Sequence, residues 1–237
     1  MLKQLVKNVI WGYKASSERY VAHLRKIGVR IGEDVTIYAP TKTFIDEQYP
    51  WMVSIGAHVR ITEGVKILTH DYSWSVLKLA DTAMKGVVLG ASGEIHIGNN
   101  VFIGMNTIIT RNVKIGDNVI IGAGSVVTKD CNENSVYAGN PAKYIMSIDE
   151  YIDKRNKLQF TEAKKLARMY YDRYKIYPEK EMFDEYFMLF SKGINLPAKF
   201  KDKINLCGNP QVSEKYMNEQ KSMFADYESF LKACFRD

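Results

Sequence analysis

The chain has 237 residues, of which 46% are hydrophobic and 25% charged, with a formal net charge of +6 and a pI near 9.0. This ordinary globular composition argues against a disordered chain and allows one large domain or two small ones. The excess of Lys and Arg suits polyanionic partners such as nucleotides, phosphorylated cofactors or nucleic acid, without choosing among them.

The first 27 residues are predicted to form an amphipathic helical segment. Their apolar residues recur at helical spacing and form no continuous apolar block: Leu2, Leu5, Val6, Val9, Ile10 and Tyr13. We interpret the segment as a helix that packs on the rest of the protein or on a neighbouring subunit, with attachment to a membrane surface as the alternative. No signal peptide or transmembrane span is expected.

Residues 28–147 are dominated by a six-residue repeat. Aliphatic residues keep one phase at Ile31, Ile37, Ile55, Ile61, Ile67, Ile97, Ile103, Ile109, Ile115, Ile121 and Val127. Glycine follows many of them, and a small or β-branched residue recurs four places on. Neither a helix nor an alternating strand has this period.

The repeat predicts a coil with flat faces, each made of a short strand and a turn, with one aliphatic side chain per hexapeptide pointing inward. The recurrent glycines are expected to supply the permissive backbone of the turns. Asn and Asp are expected to help them at Asp34, Asn99, Asn100, Asn106, Asn112, Asp117 and Asn118.

The repeat is interrupted once and then ends. Hexapeptide residues vanish from Asp71 to Glu94 and resume in the same phase at Ile97, which predicts a loop of about residues 71–94 extruded from one corner of the coil. Residues 148–237 are predicted to be a helical extension. Helical patterns cover 161–174, 179–191 and 213–235, and residues 193–210 are expected to break them.

Three cysteines, Cys131, Cys207 and Cys234, lie far apart and show no CxxC spacing. They cannot all pair within one chain, which argues against a disulfide framework and indicates a reducing, cytoplasmic setting. No Ser or Cys lies in a nucleophile elbow or next to a base in sequence. We therefore expect the cysteines to be packing residues.

The hexapeptide frame from about Gly28 to Ile145, the run 67–74 (ILTHDYSW) and the motif 121–130 (IGAGSVVTKD) followed by 138–143 (AGNPAK) closely resemble the bacterial hexapeptide-repeat acyltransferases. These include the galactoside and maltose acetyltransferases and enzymes that O-acetylate surface polysaccharides. The resemblance implies an all-β fold, a left-handed parallel β-helix, here with an N-terminal helix and a helical C-terminal extension. It also implies an acyltransferase that uses acetyl-CoA.

Acyl transfer to a hydroxyl needs a base, and neutral His suits that task. His70 ends the hexapeptide that starts at Ile67, and the resemblance places the family's catalytic histidine there. Asp71 is a candidate to orient or stabilise the imidazolium, or else a local cap. Tyr72 and Trp74 are candidates to line the sugar acceptor site, or else to pack the loop.

The resemblance also implies the path of acyl-CoA. Small residues let an extended amide chain approach the backbone, and lysines supply cationic donors for phosphate. The predicted contacts are Gly104, Asn106, Gly122, Ala123, Ser125, Thr128, Lys129, Asn140, Pro141 and Lys143. Phe102, Met105 and Met146 depart from the residues usual in relatives, so the pantetheine and phosphate contacts near them are expected to differ.

We predict an O-acetyltransferase that transfers acetyl from acetyl-CoA to a sugar or glycan. N-acylation of an amino-sugar nucleotide is the main alternative, and a non-enzymatic β-helix scaffold is a weaker one. A zinc site would need three convergent histidines and would have to draw on His58 and His96, so no metal is expected. No nucleic-acid-binding motif accompanies the basic pI, so no nucleic-acid partner is expected.

A prediction about assembly follows from the sequence separation of the motifs. The coil that carries His70 and the coils that carry the donor motif lie about five hexapeptides apart. In the resembling enzymes three prisms pack about a threefold axis, so that His from one subunit meets the CoA channel of the next. The resemblance therefore implies a homotrimer with sites between subunits.

Overall fold

A computed structural model describes residues 9–193, 195–206 and 208–236 of the chain. The chain divides into two compact units, with the boundary between Tyr151 and Ile152. Three of the predicted N-terminal helix positions, Leu2, Leu5 and Val6, and the cysteine Cys207 lie outside the described residues.

The N-terminal unit is a parallel β-helix in which each coil contributes three short strands. Coil 1 contains β1 (Arg30–Ile31), β2 (Thr36–Ile37) and β3 (Phe44–Ile45), and coil 2 contains β4 (Val53–Ile55), β5 (Arg60–Ile61) and β6 (Lys66–Ile67). Between β6 and β9 the chain leaves the coil in a long loop, here called the excursion, which contains β7 (His70–Asp71) and β8 (Ala91–Ser92). Coil 3 contains β9 (Ile95–Ile97), β10 (Phe102–Ile103) and β11 (Ile108–Ile109), and coil 4 contains β12 (Val113–Ile115), β13 (Val119–Ile121) and β14 (Val126–Val127). The strands β15 (Ser135–Ala138) and β16 (Lys143–Ser147) follow.

Strands in the same place of successive coils pair into three sheets. Sheet A has the order β1-β4-β9-β12, sheet B the order β16-β15-β13-β10-β5-β2, and sheet C the order β14-β11-β6-β3. Neighbours are parallel except for β15 and β16, which are antiparallel, as are β7 and β8. One coil therefore uses three hexapeptides, and a residue stacks on its counterpart 18 positions away when the repeat is uninterrupted.

The aliphatic positions of the repeat form the interior of the β-helix. In sheet A, Ile55 pairs with Ile97 and Ile97 with Ile115. All the aliphatic residues of the repeat are at most 3% exposed, apart from the partly buried Ile31 in the first strand. The predicted inward ladder is confirmed.

The recurrent glycines have a different role in the turns from the one predicted. The left-handed backbone falls on Asp34, His58, Asn100, Asn106, Asn112, Asn118 and Asn134, with φ between 52° and 59°, and on Gly64 and Gly124, with φ of 79° and 70°. The glycines that follow the aliphatic residues have no such φ. A Cβ on Gly56 would lie 2.5 Å from the carbonyl oxygen of Gly98 in the next coil, so the glycine is needed for close stacking and not for backbone freedom.

Two of the predicted turn residues act through their side chains. The Oδ1 atom of Asn99 accepts a hydrogen bond from the backbone N–H of Ala57 at 2.8 Å. The Oδ1 atom of Asp117 accepts one from the N–H of Asn99 at 2.7 Å. These residues tie neighbouring coils together at corners where the strands are interrupted.

Helices flank and interrupt the β-helix. Residues 9–11 are helical, a 3-10 turn spans Gly12–Ala15, and α1 spans Ser17–Ile27. Helix α1 buries Tyr20, Val21 and Leu24 in the same core as the ladder. It ends at Gly28, whose φ of 116° allows the chain to turn into β1. Helix α2 (Trp74–Leu79) lies in the excursion.

The C-terminal unit is helical, so the all-β class describes the coils and not the whole chain. It contains most of α3 (Ile148–Tyr174), 3-10 turns at Lys180–Phe183 and Phe187–Leu189, α4 (Ala198–Asn205), α5 (Pro210–Glu219) and α6 (Tyr227–Cys234). Its core is aromatic: Phe183, Phe187, Phe190, Phe200 and Phe230 are all at most 5% exposed.

Three of the helical predictions for this unit were wrong in detail. Residues 179–191 form two 3-10 turns, which bring Phe183, Phe187 and Phe190 into one core. The expected break at 193–210 contains α4, because burial of Phe200 favours a helix there. The predicted helix 213–235 is divided in two, since Asp226 starts α6 with a capping box. Within the described residues, no helix has the length and apolar character needed to cross a membrane.

Close stacking of the coils predicts that adding a methyl group at a corner lowers the stability of the protein. Gly56→Ala should lower the free energy of unfolding by about 1–3 kcal/mol, because the coils must separate to admit the Cβ. Gly90→Ala is the matched control, since a Cβ there meets nothing within 4 Å. Urea denaturation of the three proteins measures the difference, and equal stability of both variants would contradict the close-packing explanation.

Candidate active site

His70 lies where the excursion leaves the coil. Residues 70–92 depart after β6, and the base of the excursion is held by the pairing of His70 with Ser92 and by the hydrogen bond from Gly93 N to Thr69 O at 2.8 Å. The His70 side chain is 16% exposed. The ring is therefore fixed at a rigid base while one edge still reaches solvent.

A buried carboxylate from the neighbouring coil holds the His70 ring. The Nδ1 atom of His70 lies 2.6 Å from Oδ2 of Asp46, which follows β3 and is 2% exposed. The same oxygen accepts hydrogen bonds from the Thr69 hydroxyl and from Thr69 N at 3.1 Å, and Oδ1 accepts one from Gln48 N at 3.0 Å. Asp46 is thus saturated with donors.

These donors decide the ionisation of Asp46. Burial alone raises the pKa of its carboxyl, but the hydrogen bonds from Thr69, Gln48 and His70 outweigh burial and hold the pKa below its usual value. An ionised carboxylate only accepts hydrogen bonds, so Nδ1 of His70 carries the proton of the shared bond. Nε2 is then the ring atom with a lone pair.

Aromatic side chains surround His70. The rings of Tyr49 and Tyr72 meet the imidazole edge to face, with centroids 5.4 and 5.3 Å away. Trp51 lies beyond Tyr49 at 5.7 Å and Trp74 beyond Tyr72 at 6.3 Å. We call these four residues the aromatic rim.

Asp71 contacts the loop and the next coil. Its carboxylate accepts a hydrogen bond from Ser73 N at 2.9 Å and lies 3.3 Å from a guanidinium nitrogen of Arg111. Hydrogen bonds with Ser73, followed by the charges of Arg111 and His70, lower the pKa of Asp71. The geometry is that of a local cap, and the carboxylate bonded to His70 is that of Asp46.

The predicted donor residues divide between two corners of the β-helix. The corner between sheets C and A (the C–A corner) holds Asp46, His70, Thr128 and Lys129. Stacking there runs through hydrogen bonds from Asp46 N to Ile67 O, Leu68 N to Ile109 O and Thr110 N to Val127 O. His70 and Lys129 thus lie two coils apart, roughly 10 Å along the axis at the spacing of neighbouring strands.

The other predicted donor residues lie at the corner between sheets B and C (the B–C corner): Gly104, Asn106, Gly122, Ala123, Ser125, Asn140, Pro141 and Lys143. Two hydrogen bonds join the parts of the motif, from Val126 N to Gly139 O at 3.0 Å and from Ala142 N to Val126 O at 2.9 Å. The buried Ser125 hydroxyl accepts from Gly139 N at 3.2 Å. Ala123 and Lys143 are exposed.

The B–C corner offers open backbone and the exposed cation Lys143, whereas the base candidate lies on the other side of sheet C. The structure therefore brings the two halves of the donor motif together, and it places only Thr128 and Lys129 of the donor set at the His70 corner. Tyr72 and Trp74, the predicted acceptor residues, lie beside His70.

Comparison with known proteins places the chain in a family. The model of the family described as bacterial transferase hexapeptide (six repeats) matches residues 94–129. Protein CapG of Staphylococcus aureus is 44% identical over 149 residues, a match that covers 60% of this chain and 83% of CapG. The chain belongs to the hexapeptide-repeat acyltransferase family.

Solved structures of acetyltransferases also match this acyltransferase. A maltose O-acetyltransferase from Clostridium difficile 630 is 29% identical, with 55% of this chain and 75% of that chain covered and a TM-score of 0.38. A galactoside acetyltransferase in complex with coenzyme A is 25% identical, with 62% and 80% covered and a TM-score of 0.42.

The remaining histidines of the acyltransferase have structural partners. Nε2 of His23 lies 3.1 Å from Glu47, Nδ1 of His58 lies 2.7 Å from Asp34, and His96 lies 2.6 Å from the Ser54 hydroxyl and 2.9 Å from Glu94. In the part of the chain that the structure describes, no group of three or more His, Cys, Asp or Glu side chains is arranged to hold a metal ion.

The two described cysteines are buried in the cores of their units. Burial raises the pKa of the Cys131 thiol to about 12 and that of Cys234 to about 11. Both thiols are therefore protonated near neutral pH, which makes them poor nucleophiles.

Asp46 was missed because the repeat shifts in coil 1. Ile45 lies eight residues after Ile37, in place of six, so the frame that finds the other strands passes over β3. One signal was available in the sequence: Asp46 directly follows the strand residue Ile45. The equivalent position is uncharged in the other coils, for example Leu68 in coil 2 and Thr128 in coil 4. Tyr49 and Trp51 were missed for the same reason.

The lowered pKa of Asp46 predicts a pH-dependent contribution to stability. Because the carboxyl binds its proton less readily in the folded than in the unfolded chain, its contribution is full above the usual carboxyl pKa and is lost as pH falls through the lowered pKa. Asp46→Asn should lower the free energy of unfolding by about 1–3 kcal/mol at neutral pH, and by less in acid.

Denaturation of wild type and Asp46→Asn between neutral pH and pH values below the carboxyl range measures this difference. Asp81→Asn is the control, because its carboxylate is 97% exposed and should contribute little. A stability gap between wild type and Asp46→Asn that stays constant with pH would show that the charge of Asp46 is not the stabilising feature.

Proposed function

We propose that this acyltransferase transfers an acetyl group from acetyl-CoA to a hydroxyl of a sugar or glycan, directly and without a covalent enzyme intermediate, on a left-handed β-helix. The observation that carries the proposal is the 2.6 Å contact between His70 and the buried Asp46 at the base of the excursion. It supports His70 as general base and Asp46 as the residue that positions it.

The proposed step moves one proton. His70 Nε2 accepts the hydroxyl proton as the acceptor oxygen attacks the thioester carbonyl carbon. The carbon–sulfur bond breaks, and Nε2 returns the proton to the departing CoA sulfur, so that the ester and free CoA are the products. The Asp46 carboxylate keeps Nδ1–H in place throughout and stabilises the imidazolium while it exists.

The aromatic rim supports a carbohydrate acceptor. Sugar rings stack on aromatic faces, and Tyr72 and Trp51 are 61% and 65% exposed beside a base that is itself largely covered. The Tyr72 hydroxyl lies 3.4 Å from the Gln48 side chain, which adds polar groups to the same edge. This arrangement favours a hydroxyl-rich acceptor over a purely apolar one.

The B–C corner supports the binding of the CoA chain. Its exposed glycine and alanine backbone suits an extended amide chain, with backbone N–H groups available to stabilise charge on the thioester oxygen. Lys143 at this corner is an exposed cation that suits a phosphate, and Lys129 is a second exposed cation at the C–A corner. When bound, acetyl-CoA would supply the activated acyl group, while these residues hold and orient it.

The division of the site between two corners supports a homotrimer. Within one chain, sheet C separates His70 from most of the donor set, yet base and thioester must meet within hydrogen-bonding reach. Cyclic packing of three copies would set the C–A corner of one chain against the B–C corner of the next. Each trimer would then have three shared sites.

The chemical proposal predicts acceptor-dependent release of CoA thiol. Neutral sugars and oligosaccharides should release thiol from acetyl-CoA, and amino-sugar nucleotides should release little. His70→Ala should lower the turnover rate by about a hundredfold to ten-thousandfold and leave acetyl-CoA affinity nearly unchanged, because His70 moves a proton and does not hold CoA.

His96→Ala is the matched control for this assay, since His96 lies in sheet A and contacts Ser54 and Glu94. Thiol release that occurs only with amine acceptors would show that the reaction is N-acylation and not O-acylation. Full turnover by His70→Ala would remove His70 from the mechanism.

The assembly proposal predicts complementation between two inactive variants. His70→Ala removes the base, and Ala123→Trp obstructs the B–C corner, where Ala123 is exposed. Trimers formed by co-expression of both variants should regain about a quarter of the wild-type activity per site. With random mixing, about a quarter of the sites combine an intact His70 from one chain with an intact B–C corner from the next. Absence of any recovery, or a fully active monomer by light scattering, would contradict shared sites.

A further inference from the structure

The C-terminal unit contains a cavity that acetyl transfer does not explain. Its volume is about 480 Å³, within the range of small-ligand sites. Helix α6 and the residues after it form most of the wall, and one residue that follows α3 completes it. The lining residues are Tyr177, Glu228, Leu231, Lys232, Phe235 and Arg236.

The aromatic wall of the cavity is held in place by other rings. Tyr177 meets Phe235 nearly perpendicularly, with centroids 5.0 Å apart, and stacks on Tyr171 at 4.8 Å. Tyr177 is nevertheless 57% exposed. An aromatic ring that is fixed at its back and open at its front is suited to stack against a flat face of a ligand.

The segment beside this wall is anchored to α3. Arg168 donates from Nε to the carbonyl oxygen of Cys234 at 2.8 Å and from a terminal nitrogen to that of Arg236 at 2.7 Å, and Lys164 also donates to Arg236 O. These bonds cap the end of α6 and fix Phe235 and Arg236. The cavity is therefore preformed, which lowers the entropic cost of binding.

The charges of the lining favour a singly charged ligand group. Lys232 and Arg236 supply two cations and Glu228 one carboxylate, and all three side chains are exposed. Among the residues that the structure describes, none of the three forms an ion pair. The net lining charge of about +1 suits a carboxylate better than a multiply charged phosphate, and Glu228 can accept hydrogen bonds from hydroxyls.

We infer that this cavity binds an acidic saccharide, with a sugar face on Tyr177, the sugar carboxylate near Lys232 and Arg236, and a hydroxyl on Glu228. The site is separate from the catalytic corner in sequence and lies wholly within the C-terminal unit. The inference concerns binding alone, so it does not depend on the acetyl transfer proposed above.

Calorimetric titration of the full chain without acetyl-CoA tests the inference. The probes are an oligogalacturonate, a neutral isomalto-oligosaccharide of the same length, and uridine diphosphate. The oligogalacturonate should bind most tightly, and its affinity should fall as salt rises. Tyr177→Ala and the double variant Lys232→Ala/Arg236→Ala should each weaken binding by about tenfold or more.

Tyr216→Ala is the matched control, because Tyr216 is 55% exposed in the same unit and does not line the cavity. Far-UV circular dichroism verifies that each variant is folded. Oligogalacturonate binding that persists in Tyr177→Ala, absence of binding, or preference for uridine diphosphate would each overturn the assignment. Thiol release with a monosaccharide acceptor should be unchanged in Tyr177→Ala, which separates this outcome from failure of the catalytic proposal.

Discussion

Close stacking of successive coils is the constraint on which the rest of the N-terminal unit depends. Neighbouring strands must lie about 4.8 Å apart for their backbone groups to pair. At the corners this leaves no space for a Cβ at positions such as Gly56. The turn of the chain at each corner uses the left-handed backbone that Asn and Asp tolerate. Two positions of the repeat thus meet separate requirements: a glycine such as Gly56 allows contact between coils, and Asn, Asp or Gly at the left-handed position sets the chain direction.

Stacking also brings residues that are far apart in the sequence close together at the corners. Asp46 and His70 are 24 residues apart in sequence but lie on adjacent coils of the same corner. The donor motif follows two coils later, although many more residues intervene, because the excursion of residues 70–92 adds length without adding a coil. The excursion therefore places a long loop beside His70 without changing the register of the strands that position this residue.

The sequence predicted the aliphatic ladder, but it missed the stacking role of the recurrent glycines and the features that depart from the repeat. One side chain per hexapeptide is dictated by the ladder, so its burial and the position of His70 could be predicted. Asp46 could not, because the two-residue shift before Ile45 hides β3 from the frame. The division of the donor set between two corners could not be predicted either, because it depends on which sheet each strand joins. The aromatic segment 179–191 folds as short turns because its phenylalanines must reach a core made by distant helices.

The environment of Asp46 explains why the His70 ring can be held in place independently of its own charge. Burying a carboxylate is costly unless donors replace water. Thr69 and Gln48 supply three hydrogen bonds to Asp46, so the carboxylate is satisfied before His70 is counted. Its location therefore does not require a charged imidazole. The general-base role proposed for His70 needs a partner of this kind, since the ring must keep one orientation in both protonation states for the proton to return to the leaving group.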